Sequence, residues 1–271
     1  MIKSTIRLAT SALAIGLLAA CATGPQAPAA ARTDLAPTGE LRAAINFGNP
    51  ILAAKDPATG EPRGVSVDLS RELARRLGVP VKFVLYDAAG KVVEGLKSGA
   101  WDVGYVAIDP ARAVDISFTG PYVVIEGAYL VRQDSPIRSN AEVDRDGVRV
   151  AVGRNSAYDL FLSRSLKLAK LVRAPTSPAV VDLFVAQKLE VAAGVKQQLE
   201  SDARRIPGLR LLEGRFMVIN QAMATPRARG EAGTRYLREF VEEMKASGFV
   251  AEALKRHRIE GAAVGPKTLA D

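Results

Sequence analysis

Short apolar runs alternate with segments of helical period along most of the chain, and this alternation restricts the fold more than any other feature. Residues 41–45 read as a strand, and residues 67–77 as a helix with Leu69, Leu73 and Leu77 on one face and Gly78 as its stop. A strand over 81–85 follows, then a helix around Val92, Val93 and Leu96, and strands over 103–108 and 123–131. A fresh unit opens at 148–152 and continues as helix 157–169, strand 170–174, helix 178–187 and strand 191–195. Strands and helices in alternation build parallel sheets with helices on their faces, so the expected class is α/β. Residues 216–224 are predicted to form a strand that carries the chain back. One or two helices over 230–255 then place Tyr236, Leu237, Phe240, Val241 and Met244 at helical spacing.

The first twenty residues stand apart. Lys3 and Arg7 precede an apolar run over residues 8–20 that contains no acid, the pattern of a secretory signal too short to span a bilayer. Leu18-Ala19-Ala20-Cys21 resembles a bacterial lipobox, which predicts a lipid anchor on Cys21. Cys21 is the only cysteine, so no disulfide forms within the mature chain. Residues 21–38 are rich in Ala, Pro and Thr and are expected to be a flexible tether. Removing residues 1–20 takes the Lys and Arg count from 37 to 35 against 29 acids, so the net charge falls from +8 to +6. Nucleic acid fits that charge poorly. The basic residues are dispersed along helices, as at Arg71, Arg75 and Arg76, without interleaved aromatics, and the address lies outside the cytoplasm.

The run Val103-Gly104-Tyr105-Val106-Ala107-Ile108 leads into Asp109-Pro110-Ala111-Arg112, where Pro110 removes a backbone donor and halts the strand. Arg112 thus sits at a strand end, where open sheets bind ligands, and its planar guanidinium suits a two-pronged grip on a carboxylate. A salt bridge is the competing use. With Asp115-Ile116-Ser117-Phe118-Thr119-Gly120-Pro121-Tyr122 just beyond, the passage resembles the periplasmic solute-binding proteins of the amino-acid type, bacterial extracellular solute-binding family 3. That family carries Thr-Pro-x-Arg followed by Phe-Ser-x-Pro-Tyr; here Asp109 replaces the threonine. The likeness runs from about Gly39 to about Ile259, including Gly64–Leu69 and Leu96–Asp102.

The resemblance implies a two-lobed fold of type II, each lobe a mainly parallel sheet flanked by helices. Residues 39–131 and 222–271 would form lobe one and residues 132–221 lobe two, with hinge crossings near Val131 and near Gln221. It implies a carboxylate grip at Arg112, an aromatic and polar loop at Asn46, Phe47 and Asn49, and a carboxylate cradle at Asn155 and Ser156. Ser156 also reads as a helix N-cap, and Phe47 equally as core. The aspartate that holds an α-ammonium in the family aligns with Val195, which accepts no hydrogen bond. Asp109 and Glu126, the latter inside an apolar run, are the candidate substitutes.

A catalytic reading lacks parts. The single histidine, His257, lies between Arg256 and Arg258 and reads as a solvated helix end, and one histidine with one cysteine excludes the usual zinc sets. There is no Gly-rich phosphate motif and no serine elbow, so neither metal nor cofactor is expected. Trp101 reads as packing. The expected function is that of the extracytoplasmic binding component of an ABC importer: a lipid-anchored periplasmic monomer that closes over a small carboxylate-bearing solute and delivers it to a permease. A cyclohexadienyl dehydratase-like enzyme using Glu126 or Asp109 as general acid is one alternative. A ligand-sensing partner of a membrane receptor is the other.

Overall fold

The computed structural model describes residues 26–268, so the proposed lipid-bearing Cys21 lies outside the described residues. In chain order the elements are α1 (Ala29–Leu35), β1 (Leu41–Asn46), β2 (Ala54–Lys55), β3 (Pro62–Arg63), α2 (Val65–Leu77), β4 (Val81–Tyr86), α3 (Ala89–Lys97), β5 (Val103–Ala107) and β6 (Ile116–Arg132). Then come β7 (Arg149–Gly153), α4 (Ala157–Ser165), β8 (Lys170–Ala174), α5 (Val180–Ala186), β9 (Val191–Val195), α6 (Lys196–Arg205) and β10 (Leu209–Leu211). The chain ends with β11 (Met217–Pro226), α7 (Glu231–Ala246), α8 (Phe249–Arg256) and β12 (Ala263–Val264).

Eight strands lie side by side in the order β4-β1-β5-β11-β6-β9-β7-β8. At one end β1 runs parallel to β4 and β5, and at the other β7 runs parallel to β8 and β9. These are the two lobes, each a βαβ-built parallel unit. The antiparallel pair β6 and β11 joins them, paired from Pro226 opposite Ile116 to Met217 opposite Gly127. At Gly127 strand β6 takes β9 as a neighbour, with Gly127 opposite Val195.

β6 is one strand of 17 residues, longer than the 123–131 run that reads as a strand in the sequence. Pro121 has no N–H for a ladder and would ordinarily interrupt such a strand. Here it pairs with Ala222 at a register shift in β11, so the irregularity absorbs the missing donor. Helix α4 stops at Ser165, short of the expected residue 169. The amides of Lys167, Leu168 and Ala169 turn instead to the Asp144 carboxylate at 2.8–3.0 Å.

Part of the expected tether is folded, a correction to the reading of residues 21–38. Ala31 and Leu35, four apart on α1, face inward and are buried, Leu35 completely. Asp34 accepts a hydrogen bond from the Gly233 amide at 2.8 Å, supplying α7 with an N-terminal cap its own Gly230 lacks. A Cβ on Gly233 would come within 2.6 Å of Asp34 Cβ, so a glycine is needed for α1 to dock there. Composition alone hid this, because the docking depends on a partner 199 residues away, Gly233 for Asp34.

Trp101 is fully buried and donates from Nε1 to the Val92 carbonyl at 2.8 Å, the packing role expected of it. His257 is not solvated as expected. Its side chain is 14% exposed, and Nε2 lies 2.8 Å from Asp68 Oδ2 on α2.

Candidate functional site

The strand ends of both lobes point at one cleft. From lobe one, the chain leaving β1 turns through Asn46, whose Oδ1 accepts the Gly48 amide at 2.9 Å. A Cβ on Gly48 would stand 2.6 Å from the Asp87 carbonyl, so glycine lets this loop lie close against the loop after β4. After β5 the chain turns back and buries Arg112 to 4% exposure. Its Nη1 donates to the Ala107 carbonyl at 2.9 Å, within lobe one. Its Nη2 donates across the cleft to the Asn155 carbonyl of lobe two at 2.8 Å. Burial pushes the guanidinium pKa down to about 10, opposed by the nearby Asp109 charge.

From lobe two, the β7–α4 turn places Asn155 in the left-handed region at φ 56. The Asn155 amide donates to Asp159 Oδ2 at 2.8 Å, while Ser156 Oγ accepts the Asp159 amide at 3.0 Å. This reciprocal cap fixes the start of α4 beside Arg112. The Asn155 side chain faces Gly90 on α3, where an added Cβ would come within 2.7 Å of it. A cavity of about 30 Å³ remains between the lobes, lined among others by Asn46, Asn49, Arg112, Ser156, Tyr158, Ser177, Val195 and Gln221. That is room for about two waters. A smaller space of about 10 Å³ continues past Asn49, Tyr158, Ser177 and Val195 toward Gln198 and Asp202.

Four of the eight expected site residues line the cavity: Arg112, Asn46, Asn49 and Ser156. Asn155 borders it through its carbonyl on Arg112. Phe47 does not; it packs on the core, with the Lys55 amine 5.8 Å from its ring centre. Asp109 is buried away from the lining and pairs across the cleft with Arg164 of α4, Oδ2 to Nη2 at 2.7 Å. Glu126 sits where β6 passes between the lobes, bound to Arg215 at 2.7 Å and Lys196 at 3.4 Å. Arg215, foremost, holds its carboxyl below the usual range. Asp109 and Glu126 both lie outside the cavity lining, and each carboxylate has its cation.

Tyr158, Ser177 and Gln221 escaped the sequence reading. Ser177 follows β8 just as Ser156 follows β7, so the strand-to-helix signal that marks one marks the other. Gln221 is a polar residue inside the apolar run 216–224, the same signal that drew attention to Glu126. Tyr158 carries no comparable mark.

Comparison with known proteins bears on the family and the fold. Residues 41–259 match the model of the bacterial extracellular solute-binding proteins, family 3. The glutamine-binding protein of Geobacillus stearothermophilus is 24% identical over 191 residues, 69% of this chain and 70% of that protein. The virulence sensor protein BvgS of Bordetella bronchiseptica is 31% identical over 124 residues, 45% of this chain, and this chain spans only 10% of that sensor. A crystal structure of a mutant ArgBP from T. maritima superposes with a TM-score of 0.71 at 21% identity, covering 85% of this chain and 100% of that one. Two lobes bridged by paired strands, a buried arginine between them and a family match over most of the length together place the chain among the bacterial extracellular solute-binding proteins, family 3.

Proposed function

We propose that this protein is the solute-binding component of an ABC importer, working outside the cytoplasm and held to a membrane by a lipid on Cys21. It closes its two lobes over a small carboxylate-bearing solute and hands it to a permease. One observation carries the carboxylate: Arg112 is a buried cation in the cleft whose hydrogen bonds, among the described residues, go to carbonyls rather than to an acid. A buried charge that no acid hydrogen-bonds is costly, so a carboxylate arriving there gains more than it would at an exposed arginine. Binding is favoured over dehydration because Asp109 and Glu126, the candidate general acids, are both engaged in ion pairs outside the cavity lining.

Mass spectrometry of small molecules released from the purified protein would identify the solute. In calorimetry, Arg112→Ala should weaken its binding at least a hundredfold while the protein still melts cooperatively. Unaltered affinity would dispose of the carboxylate grip. Cys21→Ser should move the protein from the membrane fraction to the soluble one. Sensing is the second reading, favoured by the likeness to a virulence sensor. Uptake of the identified solute by cells lacking this chain separates the two, since a sensor leaves uptake intact.

A further inference from the structure

We propose that the solute is a small carboxylate whose second polar group is uncharged, such as a 2-hydroxy acid, and not a zwitterionic α-amino acid. The inference rests on Arg112 as the carboxylate grip and adds what else the cleft accepts. The lining of the main cavity holds one cation, Arg112, and among the described residues no acidic side chain. Val195, at the end of β9, lines the cavity with an isopropyl group that neither donates nor accepts.

The carboxylates nearest the cleft are all committed elsewhere. Asp109 is bound by Arg164, Asp159 by Arg173 at 3.0 Å and by the Asn155 and Ser163 groups, and Glu126 by Arg215 and Lys196. Asp202 borders the smaller space, but Arg205 at 2.9 Å and Gln198 at 3.1 Å hold it. A solute carboxylate would neutralise Arg112. An added ammonium would then be buried beside a guanidinium with no anion of its own, an arrangement that desolvation and like charge both oppose.

Uncharged polar groups do have unused partners. Asn49, 9% exposed, makes no side-chain hydrogen bond among the described residues, and its Oδ1 is fully enclosed. Tyr158, 2% exposed, lines the same cavity with its hydroxyl beside Ser177, Ser156 and the Gly153 backbone. Buried polar atoms left alone are uncommon, and the unpaired Asn49 carbonyl oxygen, with the neutral Ser156, Ser177 and Gln221 in the same lining, suits a hydroxyl, which can both give and take. The neutral amide and phenol select for such a group without supplying charge.

Calorimetric titration with matched pairs tests this: glycolate against glycine, L-lactate against L-alanine, and L-malate against L-aspartate. In the pair that binds best, the hydroxy acid should bind at least tenfold more tightly than its amino counterpart. Tighter binding of the amino acid, or no binding of any hydroxy acid, overturns the inference. Repeating the titration with Arg112→Ala separates the two levels. An amino acid preferred yet lost in that variant leaves the carboxylate grip standing and sinks only the uncharged-group claim, whereas affinity unchanged by Arg112→Ala removes both. Val195→Asp should swing the preference toward the amino acid by at least tenfold, and a preference that does not move also overturns the inference.

Discussion

On the proposed carboxylate grip, Arg112 should couple solute binding to pH in a range where few guanidiniums act. Its pKa is pushed down to about 10 by burial, and a bound carboxylate favours the charged form. The affinity should therefore hold steady from pH 7 to 9 and fall by about tenfold per pH unit above about 10, as titration calorimetry across that range would record. The sign for stability is opposite. Keeping the buried guanidinium charged costs the folded state below about pH 10, and that cost is relieved as pH rises through 10. Arg164 gives a second residue-level expectation. Its ion pair with the buried Asp109 spans the cleft, yet Arg164 is 49% exposed, so screening limits its worth to at most about 1 kcal/mol. Arg164→Ala should shift the balance toward the open form by up to about fivefold, measurable by small-angle scattering, with the ranking of solutes unchanged. Arg112 and Ser156 were legible in the sequence because a strand end and a helix start are local signals. The ion pairs of Asp109 and Glu126 are not legible there, because their partners lie far along the chain, 55 residues away for Arg164 and 89 for Arg215.

Among the elements, α1 has the most testable consequence. Leu35 is fully buried between α1 and α7, so Leu35→Ala should cost about 2–5 kcal/mol in a denaturant melt. Asp34→Ala, which removes the borrowed cap of α7, should cost about 1 kcal/mol. If both changes leave the melt untouched, α1 does not contribute to the fold. Periodicity read the strands and helices of the two parallel units well, since each buries one face or both, and Gly78 does end α2 in the left-handed region at φ 64. It failed where burial is slight. Helix α6 is mostly polar, with only Leu199 and Asp202 buried, and offers almost no apolar stripe to find. The full extent of β6 was hidden by Gly120 and Pro121, residues that usually mark turns and are accommodated here by a partner strand remote in sequence.

At the scale of the whole molecule, the two lobes share one sheet, and everything between Gly127 and Met217 leaves β6 and returns to β11 at directly opposed residues. Lobe two is in effect a parenthesis in the gene: it opens and closes at the same point in space. Replacing residues 128–216 by Asn-Gly should convert β6 and β11 into an ordinary hairpin, because a two-residue turn spans opposed positions of an antiparallel pair. The shortened chain should be soluble and melt in a single transition by circular dichroism; a chain without cooperative melting would mean that lobe one needs its insertion to fold. The same junction marks where an unrelated module could be spliced in, its motions read out through the strands that now carry the cleft.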